Sequence, residues 1–220
     1  MIDHFVRALT QWPLFLEGFF NTVWLCVFTA IVSLLLAMLL VVPLMSRLLP
    51  VRASARLVVD SVRSVPFLLL AYMAYYCLPA IGISLSSWAA ALITLVVYNT
   101  AYFAEILRGA WSHLPLQQEE GGRAFGFTGI KLFVYIIGPQ LFIAAGPILG
   151  NQLIQVIKDS AFLMVITIPE LTFKANQVQS ILFVPFETFI IAGCLYWVLC
   201  NSVEWMVRRL DQAAEIRRAR

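Results

Sequence analysis

Five long apolar runs separated by short polar or charged stretches dominate the chain, at residues 19–44, 57–79, 88–107, 132–157 and 181–203. Crossing the hydrocarbon of a bilayer takes about 20 apolar residues as a helix, so each run is long enough for one span. The first run closes at Pro43 and is followed by Arg47, Arg52 and Arg56, with Pro50 among them. The second carries Asp60 and Arg63 in its opening turns, three apart on one helical face where the charges neutralise each other. An uncharged turn with Gly82, residues 80–87, leads into the third run, and residues 108–131 form the largest internal linker. Within that linker Pro115 marks the start of a short helix. The fourth run contains Pro139 and Pro147, is interrupted by Lys158, Asp159 and Ser160, and resumes briefly over residues 161–169. After the fifth run come Arg208, Arg209, Arg217, Arg218 and Arg220.

Composition agrees with the pattern. Of 220 residues 61% are apolar, against about 45–50% in soluble globular chains. A backbone immersed in lipid must satisfy its own hydrogen bonds, which makes the expected fold all-α, an integral membrane protein with one domain over residues 1–220 and about five transmembrane helices. The net charge of +3 matters less than its placement. Twelve of the fifteen Lys and Arg fall on one side if the amino terminus faces out and the carboxyl terminus in, leaving Arg7, Lys158 and Lys174 on the other. An odd number of spans requires those opposite ends. The apolar run near residue 19 is long and lacks a small-residue cleavage site, so no cleavable signal peptide is expected. Cys26, Cys77, Cys194 and Cys200 lack the close spacing of a zinc or redox motif and serve as small packing residues. His4 and His113 are too few and too far apart for a metal site.

The linker around Gln117 runs Gln117-Gln118-Glu119-Glu120-Gly121-Gly122-Arg123-Ala124-Phe125-Gly126, and the chain continues to Ile136-Ile137-Gly138-Pro139. This predicts a short helix, a glycine stop at Gly126 and a segment returning to the membrane, since glycine readily takes the left-handed conformation that ends many helices. A compact helix between two spans is a handle that a separate motor protein could grip.

These residues resemble the cytoplasmic loop of the permeases of ATP-binding-cassette importers, whose pattern is E-A-A, three residues, G, nine residues, I, one residue, L-P. Glu120, Gly126, Ile136 and Pro139 hold the corresponding positions with both spacings intact; Gly121 and Gly122 replace the alanines and Gly138 the leucine. Each Gly in place of Ala costs roughly 1 kcal/mol of helix propensity. The resemblance narrows to the polar amino acid uptake branch, of the histidine, glutamine and arginine type. Arg63-Ser64-Val65-Pro66 is similar to its Arg-x-x-Pro entry to the second span, and the segment from Tyr102 through Glu105 to Arg108-Gly109 to its Tyr-x-x-Glu-x-x-Arg-Gly end of the third. Pro139-Gln140, Asn151-Gln152 and, in part, Lys158-Asp159-Ser160 match further positions in order.

The resemblance implies a type I importer permease fold in a bacterial cytoplasmic (inner) membrane. It also implies a second permease chain, identical or homologous, two cassette ATPase subunits, and an extracytoplasmic solute-binding protein that delivers the amino acid. The linker at about residues 109–131 then couples the spans to the ATPases through Glu120, Gly121, Gly122 and Gly126. The chain carries no phosphate-binding G-x-x-x-x-G-K-[ST] loop, so ATP and Mg belong to the partner ATPase; no cofactor, metal, nucleic acid or catalytic residue is expected in this chain.

A solute path through lipid needs polar side chains, which are expensive there unless paired or wetted. Tyr98, Asn99, Gln152, Lys158 and Asp159 are the candidates, with a neighbouring cation and anion suited to a zwitterion. Lys158 and Asp159 could equally form a structural pair at the break, and Glu105 with Arg108 an intrahelical pair. Tyr72, Tyr75 and Tyr76 fit interface aromatics, and Asn201 and Glu204 fit contacts between helices. The alternative function is an ion-gradient-driven secondary transporter or channel subunit, which predicts internal repeats or more spans; neither is visible. An intramembrane enzyme would need paired carboxylates, HExxH or a nucleophile elbow, which do not occur.

Overall fold

A computed structural model describes residues 2–218, so Arg220 of the basic tail lies outside the described residues. Within them every regular element is helical: α1 (Ile2–Leu9), α2 (Trp12–Leu44), α3 (Leu49–Ser64), α4 (Phe67–Tyr72), α5 (Ser87–Ser112), α6 (Leu116–Ala124), α7 (Gly129–Leu132), α8 (Gly138–Ser160), α9 (Leu171–Leu182) and α10 (Pro185–Arg218). Short π and 3-10 turns extend α4 to Ile81, join α7 to α8 and continue α8 to Ile166. Four helical segments are long and apolar enough to cross a membrane, and the bent pair Leu49–Ser64 with Phe67–Ile81 supplies a fifth.

The second run, expected over residues 57–79, is thus two helical arms that begin at Leu49. The two arms meet at 96°. Proline forces the residue before it out of the helical region, and Val65 is accordingly extended at φ −99° and ψ 133° ahead of Pro66. The fifth span also starts later than its apolar run suggests. Ile181 and Leu182 end α9, Phe183 turns the chain at φ 54°, and α10 begins at Pro185. α9 itself falls where no element was expected.

Small residues set how closely the helices pack. The buried stripe of α2 runs through Gly18, Thr22, Cys26, Thr29, Ser33 and Ala37, and small residues at such spacing let backbones approach. α5 lies along this stripe, with the Ser33 hydroxyl donating to the Val96 carbonyl at 3.1 Å. α8 packs against α10 through Gly146 and Gly150, four apart; a Cβ on Gly150 would sit 2.5 Å from Val207 Cγ1. The π turn Phe133–Ile137 immediately precedes Gly138-Pro139, where proline withholds a backbone donor from the helical ladder. Pro147 is accommodated inside α8, which continues to Ser160.

Candidate functional site

Polar side chains meet midway along α5 and α8. Asn99 donates to the Leu95 carbonyl at 3.0 Å and accepts from Gln152 Nε2 at 2.9 Å, a bridge between the two helices with both residues buried. Two turns further along α8, on the same ridge, lies Asp159. It is 3% exposed; one carboxylate oxygen accepts from Gln155 Nε2 at 2.9 Å, and the other is buried without a partner among the described residues. An unpaired carboxylate oxygen out of water is costly.

Beside this ridge, Asn151, Gln155 and Lys158 recur at i, i+4 and i+7 and are exposed. The Lys158 side chain opens into a cavity of about 550 Å³ between α8 and α10, with Tyr196, Trp197, Cys200, Asn201 and Glu204 on the facing wall. No ion pair joins Lys158 to Asp159 among the described residues, which corrects the reading of a structural pair at the break. Successive helical residues project about 100° apart around the axis, and here one side chain faces the cavity while the other turns inward. The helix break lies not at these residues but after them: α8 holds to Ser160, a 3-10 turn follows, and Thr167 reverses the chain at φ 64°.

Tyr98, one residue from Asn99, points elsewhere. Its ring packs on Phe67 at 5.4 Å, and its hydroxyl lies 3.2 Å from that of Tyr102. The Arg63 guanidinium sits 5.1 Å above the Tyr102 ring and 3.9 Å from Glu105, which Arg108 grips with two bonds of 2.8 and 2.7 Å. A cluster of aromatic and charged groups thus links α3 to the far half of α5. The Glu105–Arg108 pair was legible from spacing, whereas Arg63 over Tyr102 joins residues 39 apart.

Sequence reasoning also missed Glu170. It is fully buried and caps α9, its carboxylate accepting from the Thr172 and Phe173 amides at 2.8 and 2.6 Å and from the Tyr196 hydroxyl at 2.7 Å. An acidic residue just before an apolar periodic run is a helix-start signal, and Glu170-Leu171 carries it.

At the other end of the molecule α6 forms as a continuous helix despite its two glycines. Gly122 is buried, and a Cβ there would lie 2.6 Å from Leu132 Cδ1, so this glycine lets α6 seat against the returning segment. Gly126, at φ 84°, stops the helix. Its amide bonds the Arg123 carbonyl at 2.9 Å and the Phe127 amide bonds the Gly122 carbonyl at 3.0 Å, the paired bonds of a Schellman stop. Glu119 is held by Arg123 at 2.7 Å, leaving Glu120, Leu116 and Phe125 exposed on the outer side; around Gly121 there is open space. No cluster of His, Cys, Asp or Glu among the described residues could hold a metal ion.

Residues 33–216 match a protein family described as binding-protein-dependent transport system inner membrane component. Three similar proteins come from Bacillus subtilis (strain 168). The probable glutamine ABC transporter permease protein GlnM is 28% identical, with 93% of this chain and 95% of that protein covered. The L-cystine transport system permease protein TcyB is 30% identical over 91% and 88% of the two chains. The arginine transport system permease protein ArtQ is 30% identical over 94% and 95%. Among solved structures, that of an amino acid ABC transporter with histidines matches with a TM-score of 0.86 and 27% identity, covering 95% of this chain and 98% of that one. An inward-facing MetNI methionine ABC transporter shares the fold at a TM-score of 0.73 and 18% identity, over 91% and 96%.

Proposed function

This chain belongs to the family of binding-protein-dependent transport system inner membrane components, multi-pass permease subunits of amino-acid ABC importers, and from there we propose how it works: a polar amino acid crosses along the polar face of α8 while α6 takes up the motion of separate ATPase chains. The observation that carries this reading is the exposure of Asn151, Gln155 and Lys158 in the second half of α8, part of a segment long and apolar enough to cross a membrane. Lipid tails cannot satisfy such groups. A second permease chain, identical or homologous, laid against this face encloses them in a wet path. Asp159, whose second carboxylate oxygen is buried without a partner among the described residues, is matched to the ammonium of the solute, and the Asn99–Gln152 bridge lies on the same ridge; Tyr98, turned toward Phe67 and Tyr102, stands apart from it. Lys158 supplies positive charge on the α10 side.

ATP and Mg are bound by two cassette ATPases beneath the membrane, and a solute-binding protein delivers the amino acid from outside. The exposed side of α6, with Leu116, Glu120 and Phe125, is suited to seat in an ATPase groove. Its Gly122 contact with Leu132 on the returning segment passes the motion to α8, a rigid-body switch. The amino terminus then faces out and α6 lies in the cytoplasm, the orientation that the placement of twelve of fifteen basic residues favours.

Two measurements test this. In reconstituted vesicles with all partners, Gly126→Leu and Glu120→Arg insert and assemble normally but lose ATPase stimulation by loaded binding protein, together with uptake. A side chain at the left-handed position costs of order 1 kcal/mol or more, and the second variant reverses a charge at the ATPase contact. Wild-type stimulation and uptake in both would remove α6 from the coupling path. Separately, Gln118→Cys in a cysteine-free background resists an impermeant thiol reagent added outside intact cells; labelling there would invert the topology.

A further inference from the structure

One face of α2 stays exposed along its length, with Trp24, Ile31, Leu35, Leu39 and Val42 recurring at helical spacing. An exposed apolar stripe along a span is suited to face lipid, and at the Leu44 end it does not stop at a flat surface. It runs into a crevice of about 930 Å³ between α2 and the segment from α7 into the π turn. Leu35, Leu39 and Val42 line one wall, Ile130, Phe133 and Val134 the other, and Trp111, stacked on Phe133 at 5.3 Å, is among the lining residues. Sites that hold small molecules enclose about 300–1,000 Å³, so there is room for an acyl chain.

The rim of the crevice is charged. Ser46, Arg47, Glu119 and Arg123 line it just beyond the end of α2. Glu119 bonds Arg123 at 2.7 Å and lies 3.9 Å from Arg47, which leaves one net positive charge. The Arg47 side chain is 89% exposed, so most of its donors are free, and the Ser46 hydroxyl, which accepts from the Leu48 amide at 3.2 Å, can still donate. Guanidinium groups bind phosphate in a bidentate fork.

We propose that this crevice is a binding site for an anionic phospholipid, with one acyl chain between α2 and the π turn and the phosphate on Arg47, Ser46 and Arg123. Continuity with the lipid-facing stripe points to lipid rather than to a protein partner. The net positive rim points to an anionic headgroup rather than a zwitterionic one. Arg123 belongs to α6, so bound lipid would also hold the coupling helix. The inference does not depend on the solute path described above.

The assembled transporter in nanodiscs tests it, with Trp111 as the sole tryptophan of this chain, Trp12, Trp24, Trp88, Trp197 and Trp205 replaced by Phe, and the same assembly carrying Trp111→Phe as the background to subtract. Phosphatidylglycerol with brominated chains quenches Trp111 more strongly than brominated phosphatidylcholine at the same low mole fraction, and Arg47→Gln removes about fivefold of that preference, the worth of one basic residue near an anionic surface. Native mass spectrometry of the unaltered protein provides a second measurement that needs no tryptophan replacement: phosphatidylglycerol is retained over phosphatidylcholine, and less of it after Arg47→Gln. Equal quenching and retention of the two lipids, a preference untouched by Arg47→Gln, or no quenching by either once the ATPases are assembled would each overturn the proposal, the last by showing that a protein covers the crevice.

Discussion

Two buried carboxylates eleven residues apart in the sequence are treated in opposite ways. Glu170 has every near neighbour a carboxylate could ask for: two backbone amides at the start of α9 and the Tyr196 hydroxyl, which also lies 2.9 Å from Thr172. Asp159 has one bond from Gln155 and one oxygen with no partner among the described residues. Burial alone therefore does not mark a functional acid. A satisfied carboxylate is explained by the structure it holds, whereas one left partly bare in a folded protein keeps capacity for something that arrives later.

The largest effect expected from this contrast is on stability at Glu170. Glu170→Ala removes a helix cap, typically worth about 0.5–2 kcal/mol, and the bond the Tyr196 hydroxyl donates to the carboxylate, about 1.5–3 kcal/mol for a bond to a charged group, although that hydroxyl keeps Thr172 as a partner. Unfolding in detergent should register a loss of roughly 2–4 kcal/mol, with uptake per folded transporter near normal. A fall in uptake without loss of stability would dissolve the distinction. Asp159→Asn comes next and should do the reverse. Uptake falls about tenfold or more, equivalent to at least about 1.4 kcal/mol in rate, while stability holds or rises because the amide has no charge to desolvate. Unchanged rate and affinity in vesicles would return Asp159 to a structural role. The smallest effect is at Tyr196→Phe, where Glu170 keeps its two amides. A destabilisation of about 1 kcal/mol, measured in the same unfolding assay with uptake intact, places Tyr196 on the structural side despite its position on the wall of the Lys158 cavity.

Long apolar runs made most of the spans legible, because lipid leaves few ways to fold such a chain. What stayed hidden was non-local. α9 mixes Lys174, Asn176, Gln177 and Gln179 into its sequence and resembles a polar loop until Lys174 is seen buried against Glu17 at 2.7 Å, from the far end of the chain. Asn99 and Gln152 stood out as polar residues in apolar runs, yet nothing local announced that they bond each other. At Lys158 and Asp159 the sequence misled in the other direction, since adjacency suggested a pair and the helix turned the two side chains apart. Gly126 was readable because its left-handed role depends on its own backbone; Gly122 was not, because its role depends on Leu132.

The contact between Gly150 and Val207 has a historical consequence. With 2.5 Å between a notional Cβ and Val207 Cγ1, neither position can drift alone toward a larger residue. A lineage that acquires alanine at 150 survives most easily if 207 has already shrunk, so the order of the two substitutions matters as much as their identity. At this point a change on α8 is tied to a change on α10.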